Sequence, residues 1–119
     1  MYELKVESSF SAAHHLLNYN GECENQHGHN WKVEVYATGT VLDKSNLLID
    51  FKVLKKELNS VLDLLDHKDI NTLEDFNGIS PSSEMLSKYI YEKLKTKIPQ
   101  ISKVSVWETE KACASYFEE

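Results

Sequence analysis

Two histidines separated by one residue, His27 and His29, are the side chains in this sequence best spaced for metal chemistry. Residues i and i+2 of a β-strand project to the same side, so both imidazoles would lie on one face. His14 ends an earlier alternating segment, where it shares the parity of Phe10 and Ala12. If the two segments form an antiparallel hairpin, the three rings meet at one rim of a sheet. Three neutral imidazoles with an open fourth position are typical of a catalytic zinc site.

Each of these histidines also has a simpler interpretation, because a single inward-facing histidine is more often a hydrogen-bonded core residue than a ligand. The metal hypothesis therefore depends on all three having matching parity at adjoining strand ends. Gly28, between two candidate ligands, would let backbone or substrate approach closely. His15 has the opposite parity, and we expect it at the surface or the rim.

The elements that must position these residues follow from the spacing of apolar side chains. Alternation over residues 2–14, and again from His27 to about residue 41, predicts two strands joined by a polar loop around Asn20 and Gly21. After Asp50, a candidate N-cap, apolar residues recur at helical spacing, so that Asp66 and His67 are predicted to end the first helix.

The second half of the chain repeats this order in reverse. Ser80–Pro81 is predicted to open a second helix, which Pro99 closes. Two final strands are expected on either side of a turn at Glu110–Lys111. The predicted fold is α+β, a single domain of residues 1–119 in the order ββααββ. Its four-stranded antiparallel sheet carries both helices on one face, because each helix has one apolar stripe to bury.

Composition narrows the class of protein. The chain has 119 residues, 41% of them hydrophobic and 27% charged, which is typical of a globular domain. Its net charge of −6, with thirteen Lys and no Arg, argues against a general nucleic-acid binder, which needs a cationic surface. No window is apolar enough for a membrane span, and the N-terminus does not resemble a secretory signal. We therefore expect a cytoplasmic protein with two reduced thiols, Cys23 and Cys113.

Three further groups have open interpretations. Cys23, four residues before His27, would be a fourth zinc ligand, a nucleophile or base, or an inert loop thiol. Cys113 lies among small residues and is interpreted as a packing residue. Asp66 and His67 are either a helix terminus, where a cationic His offsets the macrodipole, or an Asp-oriented imidazole for proton transfer.

Glu108 shares the parity of Val104 and Val106, which turns a carboxylate towards the core face at a strand end. Burying an unpaired carboxylate is costly, so it should meet a cationic or multi-donor partner such as a guanidine-like heterocycle edge. The alternative is that the strand ends one residue earlier and Glu108 is solvated.

The ordered set of these motifs resembles the family of 6-pyruvoyl-tetrahydropterin and 6-carboxy-tetrahydropterin synthases, nearly end to end. The matching segments are Phe10-Ser11-Ala12-Ala13-His14, Cys23 with His27-Gly28-His29-Asn30, Ile49-Asp50-Phe51, Leu65-Asp66-His67 with Asn71, Pro81-Ser82-Ser83-Glu84, and Glu108-Thr109.

This resemblance implies the tunnelling fold, in which subunits join their sheets into a barrel. It also implies a homohexamer of two stacked trimers, with active sites between subunits. It would make His14, His27 and His29 the ligands of a catalytic Zn²⁺. Carried over by position, Cys23 would be the catalytic base and Asp66 with His67 the proton-transfer pair. Glu108, with Thr109, would anchor the pterin.

The implied substrate is 7,8-dihydroneopterin triphosphate. We favour the carboxy branch, which releases acetaldehyde and leaves 6-carboxy-5,6,7,8-tetrahydropterin for 7-deazapurines such as queuosine. The first alternative is the pyruvoyl branch towards tetrahydrobiopterin. A third branch, which makes a hydroxymethyl pterin, usually has Glu in place of Cys23, and Glu22 and Glu24 flank that position. A non-catalytic zinc or pterin module, closed by Cys23, is the alternative of another class.

Some positions depart from the family pattern. His15 stands where many members have Arg, and Gln26 where an apolar residue usually precedes the first histidine of the pair. Because the chain has no Arg, the contacts that would hold a triphosphate are not identified by the motif match.

Overall fold

A five-stranded sheet with two helices on one face forms the architecture of the computed structural model, which describes residues 1–21 and 24–119. The regular elements are, in chain order, β1 Tyr2–His14, β2 His27–Gly39, α1 Phe51–Leu62, β3 Lys68–Asp69, α2 Ser83–Lys95, β4 Ile101–Thr109 and β5 Ala112–Tyr116. Two short 3₁₀ helices, Ile70–Thr72 and Glu74–Phe76, lie between β3 and α2. Within the described ranges, no helix is long and apolar enough to span a membrane.

The spatial order of the strands is β3-β1-β2-β4-β5. The β1–β2, β2–β4 and β4–β5 pairs are antiparallel, as the alternating pattern predicts. The prediction of four antiparallel strands omitted β3, which pairs parallel with β1 at Ala12 and Ala13. A strand of two residues is too short to produce a periodic signal in the sequence.

One hydrophobic core lies between the sheet and the helices. The inward residues of β2, Trp31, Val33 and Val35, are fully buried, and so are Leu54 of α1 and Leu86 of α2. Each helix therefore buries one apolar stripe against the same face of the sheet, as predicted.

Three of the four predicted helix boundaries are corrected by the structure. Asp50 is the N-cap of α1, as predicted, but the helix ends at Leu62 and not at Asp66 and His67. Leu65 keeps the helical spacing and is fully buried, yet it belongs to the turn that follows, so burial alone extended the apparent pattern.

The second helix begins later than Ser80–Pro81 predicts. Its N-cap is Ser82, whose hydroxyl accepts a hydrogen bond from the Met85 N–H at 3.2 Å. Pro81 therefore precedes the cap, and its carbonyl oxygen accepts a hydrogen bond from the His14 ring. The helix also ends at Lys95, four residues before Pro99.

The outer face of the sheet is polar but ordered. Glu34 is buried there, accepting hydrogen bonds from Lys5 Nζ at 3.0 Å and from Trp107 Nε1 at 2.5 Å. Cys113 pairs with Trp107 across β4–β5, so it lies on this outer face and is exposed. The interpretation of Cys113 as a packing residue is wrong within the described chain, because small neighbours do not by themselves indicate whether a residue of an edge strand is buried.

Candidate metal centre

The β1–β2 hairpin brings the three predicted histidines together. His14 lies directly opposite His27, and Ala12 lies opposite His29, in the antiparallel register. The ring centroids of His14, His27 and His29 are 4.7, 4.8 and 5.4 Å apart in pairs. The sequence-based placement of the three imidazoles at one rim of the sheet matches this geometry.

Two of the three rings have a tautomer fixed by carbonyl oxygens. His14 Nδ1 lies 2.7 Å from the Pro81 carbonyl, and His27 Nδ1 lies 2.9 Å from the Asn25 carbonyl. Because a carbonyl only accepts, each Nδ1 must carry the hydrogen and the neutral ring presents the lone pair of Nε2. These two Nε2 atoms face each other at 3.1 Å. Two lone pairs in this position repel each other unless a cation or a proton lies with them.

The third ring presents an unpartnered nitrogen to the same point. His29 Nε2 is buried and has no hydrogen-bond partner among the described residues, although Glu108 Oε1 is 3.0 Å away without hydrogen-bond geometry. Burial lowers the pKa of His29, and its histidine neighbours lower it further, against the opposing effect of Glu108. The neutral imidazole, which is the ligand form, is therefore favoured.

Glu108 joins this cluster from β4. Its Oε1 lies 3.3 Å from His14 Nε2 and 3.9 Å from His27 Nε2. The four candidate ligand atoms, from His14, His27, His29 and Glu108, all lie within 4.8 Å of one another. The sequence pattern predicts the inward direction of this carboxylate but not its place among the imidazoles, where three ligands and an open position were expected.

Packing supports the cluster from below. The indole ring of Trp31 is fully buried and lies edge-on to His14 and His29, with centroid distances of 4.8 and 5.1 Å. His15 follows His14 directly after β1, and its backbone is held by Asn71. The Asn71 side chain accepts a hydrogen bond from the His15 N–H at 2.9 Å and donates one to the His15 carbonyl at 3.0 Å. Sequence reasoning assigned Trp31 to the core alone and gave Asn71 no role. Only the family motif that contains Asn71 gave a signal for it.

The predicted proton-transfer pair lies in the turn after α1 and is bonded to β1 away from the histidine cluster. Asp66 Oδ1 accepts from the Ser11 N–H at 2.8 Å, and the His67 N–H donates to the Ser11 carbonyl at 2.6 Å. Asp66 Oδ2 lies 3.0 Å from His67 Nδ1, and the bond from Ser11 is the main cause of the lowered pKa of Asp66. The structure therefore brings Asp66 and His67 together but attaches them at Ser11, three residues before His14.

The residues still to be placed are Thr109, Cys23 with Glu22, and Gly28. Thr109 ends β4 beside Glu108, and its hydroxyl accepts from the Lys111 N–H at 3.2 Å within the turn. Cys23, the predicted base, and Glu22 lie outside the described residues. Gly28 has room for a Cβ, whose nearest neighbour would be the Ala12 carbonyl at 3.8 Å, so the chain itself does not require glycine there.

Comparisons with known proteins identify relatives of this chain. The sequence profile described as 6-pyruvoyl tetrahydropterin synthase matches residues 3–119. A 6-carboxy-5,6,7,8-tetrahydropterin synthase of Synechocystis is 34% identical, with 98% of this chain and 94% of that protein covered. A 6-pyruvoyl tetrahydrobiopterin synthase of Dictyostelium discoideum is 34% identical, with 76% and 69% covered. The solved 6-pyruvoyl tetrahydropterin synthase of Caenorhabditis elegans superposes with a TM-score of 0.86 at 30% identity, covering 99% and 96% of the two chains.

Proposed function

Because this chain belongs to the 6-pyruvoyl tetrahydropterin synthase family of enzymes, we propose that it is a zinc-dependent 6-carboxy-5,6,7,8-tetrahydropterin synthase. The reaction converts 7,8-dihydroneopterin triphosphate and water to 6-carboxy-5,6,7,8-tetrahydropterin, acetaldehyde and triphosphate, for the synthesis of 7-deazapurines such as queuosine. The convergence of three imidazole nitrogens at one rim of the sheet is the observation that carries the proposal. The relative of this name in Synechocystis, matched over nearly the whole chain, supports the choice of product.

The residues that would hold Zn²⁺ are His14, His27 and His29. Their fit rests on the two carbonyl-fixed tautomers and on the buried, unpartnered Nε2 of His29. When bound, the ion would supply Lewis-acid polarisation of the substrate's side-chain oxygens. The chain's contribution is to hold the ligands at one point before any ion binds, so that little rearrangement is needed.

Proton transfer is assigned to Cys23, Asp66 and His67. The Cys23 thiolate would remove a proton from the substrate side chain. The His67 Nδ1 that faces the Asp66 carboxylate leaves Nε2 free to deliver or accept a proton. The Asp66 carboxylate is ionised at neutral pH, and its pKa is lowered further, chiefly by the hydrogen bond from the Ser11 N–H. Facing His67 Nδ1, it orients the ring.

Recognition of the pterin is assigned to Glu108 and Thr109. A carboxylate accepts two parallel N–H bonds from an aminopyrimidine edge in the same way that it accepts them from a guanidinium. Glu108 suits this role because it lies at the rim with its side chain about one-third exposed (35%), within reach of both the cluster and the solvent.

A complete site requires a second copy of the chain in this proposal. Ser11, where Asp66 and His67 attach, is three residues from His14, which is about 10 Å along a strand. Among the described residues, no hydrogen bond or ion pair joins the His67 ring to the three histidines, so in this proposal a second subunit brings another His67 within reach of an atom that they hold. We therefore propose a homo-oligomer, a hexamer of two stacked trimers, in which His67 of one subunit serves the cluster of another.

The sheet edges support such an assembly. On the side of β1 away from β2, residues 2–10 have no neighbouring strand in the described chain, and β5 is the opposite edge. Open edges of this length are normally paired or blocked. Light scattering coupled to size exclusion would measure the mass in solution. A monomer that is active at nanomolar concentration would contradict the shared site.

A product assay tests the reaction. The zinc-loaded protein is incubated with 7,8-dihydroneopterin triphosphate, and both triphosphate and acetaldehyde are measured. The proposal predicts equal amounts of the two products. Triphosphate without acetaldehyde would indicate the pyruvoyl branch, which the Dictyostelium relative favours. A hydroxymethyl pterin product would indicate the third branch.

The two cysteines provide a matched pair for the assigned base. Cys23→Ala should abolish turnover, whereas Cys113→Ala, on the exposed outer face of β5, should leave turnover unchanged. If Cys23→Ala keeps turnover, the base is wrongly assigned. A sulfur ligand on the metal in the resting protein, measured by metal-edge spectroscopy, would favour the non-catalytic module.

A further inference from the structure

The loop that joins the two histidine-bearing strands is closed at its base by one residue, Glu24. Its backbone N–H donates to the Leu16 carbonyl at 3.0 Å, and its carboxylate Oε1 accepts from the Leu16 N–H at 3.1 Å. Leu16 lies two residues after His14, where β1 ends, and Glu24 lies three residues before His27, where β2 begins. The two bonds therefore tie the two limbs of the loop together directly beyond the histidine cluster.

The two limbs of this loop are anchored unequally. The outgoing limb has further contacts, because Asn71 bonds to the backbone of His15 and the Ser80 hydroxyl accepts from the Leu17 N–H at 2.9 Å. On the returning limb, residues 24–26, the described hydrogen bonds to the outgoing limb are the two made by Glu24. Glu24 therefore holds the returning limb against the end of β1.

The Glu24 carboxylate also lies next to the cluster without belonging to it. Its Oε1 is 3.8 Å from His27 Nδ1, whose hydrogen is directed to the Asn25 carbonyl. The His27 ring presents its other nitrogen, Nε2, to the cluster, so Glu24 lies behind the ring and outside the group of candidate ligands.

We propose that Glu24 is a positioning residue for Cys23, which precedes it in the chain, and that its two bonds to Leu16 hold the thiol in place for the reaction. This inference rests on the proposed function, in which Cys23 is the base. Because Cys23 is covalently joined to Glu24, the attachment of Glu24 restricts where the thiol can lie. The role needs an acceptor oxygen and not a negative charge, since the Leu16 N–H is neutral. Glu24 is then not the base itself, the role that its place beside Cys23 suggests for the hydroxymethyl branch.

Amide hydrogen exchange tests the attachment without any assay of activity. The Leu16 amide should be protected in the wild type, and Glu24→Ala, which removes its acceptor, should make it exchange at least about tenfold faster. Glu24→Gln keeps an acceptor oxygen and should retain the protection. An unprotected Leu16 amide in the wild type, or equal exchange in all three proteins, would overturn the attachment.

Turnover tests the role of this attachment. Glu24→Ala should lower kcat by about 10–100-fold, because a displacement of about 1 Å in a reacting group can cost about 100-fold. KM should hold, since the pterin contacts are assigned to other residues, and so should the zinc content, since the Asn25 carbonyl fixes the His27 tautomer. Glu24→Gln should keep kcat within about threefold of the wild type, because its amide oxygen restores the bond to Leu16. Equal loss of kcat in the two variants would make Glu24 the base and overturn the proposal. Loss of zinc from Glu24→Ala would also overturn it, because the effect would then act through the metal.

Asp43 provides a matched control at the opposite end of β2. Its N–H donates to the Leu47 carbonyl at 2.8 Å and its carboxylate accepts from the Leu47 N–H at 3.1 Å, which is the same pair of bonds. This loop follows Gly39, twelve residues along β2 from His27. Asp43→Ala should free the Leu47 amide and leave the Leu16 amide, the zinc content and kcat as in the wild type. An equal fall of kcat in Asp43→Ala and Glu24→Ala would overturn the proposal, because a general loss of stability would then explain both.

The two hypotheses fail in different ways. If Glu24→Ala frees the Leu16 amide but the wild type releases neither triphosphate nor acetaldehyde, the proposed reaction is wrong and the attachment stands. If the wild type forms both products and Glu24→Ala keeps the wild-type kcat with a freed Leu16 amide, the positioning role is wrong and the reaction stands.

Discussion

The histidine cluster at the end of the β1–β2 hairpin and the Asp66–His67 pair at the edge of β1 are built in opposite ways. The cluster is largely fixed: the His14 side chain is 2% exposed, and carbonyl oxygens hold two of the rings. The His67 side chain is 82% exposed and projects from a turn, where its backbone has a positive φ of 57°. Both regions depend on β1, yet only the first is completed by contacts within the described chain.

This difference separates two requirements of a catalytic site. A metal site needs several groups fixed relative to one another, and adjacent strands of one sheet provide that rigidity. In the proposed assembly, a proton-transfer group that serves another subunit projects outwards while its base is anchored. The Asp66 carboxylate and the His67 N–H, which are both bonded to Ser11, are such an anchor.

The largest effect is expected from removing one ring of the cluster. His27→Ala should lower zinc affinity by more than about 100-fold, because the loss of an outer partner of a ligand alone costs about 10–100-fold. Turnover should be lost with the metal. The fold should persist, because His27 is only part-buried and lies outside the apolar core. Metal content after dialysis and far-ultraviolet circular dichroism measure the two outcomes.

His15→Ala is the matched control, since it removes a neighbouring imidazole that is not part of the cluster. It should retain the zinc content of the wild type. Equal metal loss in the two variants would contradict the assignment of His27 as a ligand.

The edge pair should respond in the opposite way. His67→Asn removes the imidazole while keeping a residue that tolerates the left-handed backbone. Turnover should fall by about 10²–10⁴-fold, the usual contribution of a general acid or base, with zinc content unchanged. Triphosphate release and metal analysis on one preparation make the comparison. A variant that loses zinc as well would show that the two regions are not independent.

The parts of this site that the sequence predicts are those governed by strand parity. Parity alone places His14, His27, His29 and Glu108 on the inner face, because side chains alternate along a strand whatever surrounds them. Parity cannot show that the Glu108 carboxylate reaches the imidazoles, since that depends on how β4 is placed in the sheet, where its register against β5 shifts between Trp107 and Thr109.

Contacts made by backbone carbonyls are harder still to predict. The carbonyl of Pro81, which fixes His14, belongs to a segment that sequence patterns assign to the start of a helix. The two-residue strand β3 likewise forms only because the turn after α1 returns the chain to the edge of β1. Both features depend on tertiary packing and leave no periodic signal.

A moderate effect on stability is expected from Asn71, which is bonded to the backbone of His15 next to the histidine cluster. Asn71→Ala removes both hydrogen bonds to the backbone of His15 and leaves that segment of β1 poorly anchored. We expect a loss of about 1–3 kcal/mol in the free energy of unfolding, measured by urea denaturation of the metal-free protein. The control is Asn59→Ala in α1, which removes an exposed hydrogen bond from the Ser8 hydroxyl of β1. It should change the free energy of unfolding by less than about 0.5 kcal/mol. If the two variants are equally stable, Asn71 does not hold the rim in place.

The smallest effect concerns the charge of Asp66. Its pKa is lowered in the folded protein, chiefly by the bond from the Ser11 N–H, so its ionised form stabilises the fold. That contribution is complete above the unfolded-state pKa, about 3.9, and is lost as the pH falls through the lower, folded-state pKa. Asp66→Asn keeps an oxygen for the Ser11 N–H but no charge. Its melting temperature should therefore lie below that of the wild type at pH 6, and the difference should narrow towards pH 3.

Metal-free protein is used, and Asp63→Asn, a change in the same turn without a described bond to β1, should show no such narrowing. A constant difference between wild type and Asp66→Asn across this range would mean that the carboxylate acts by shape alone.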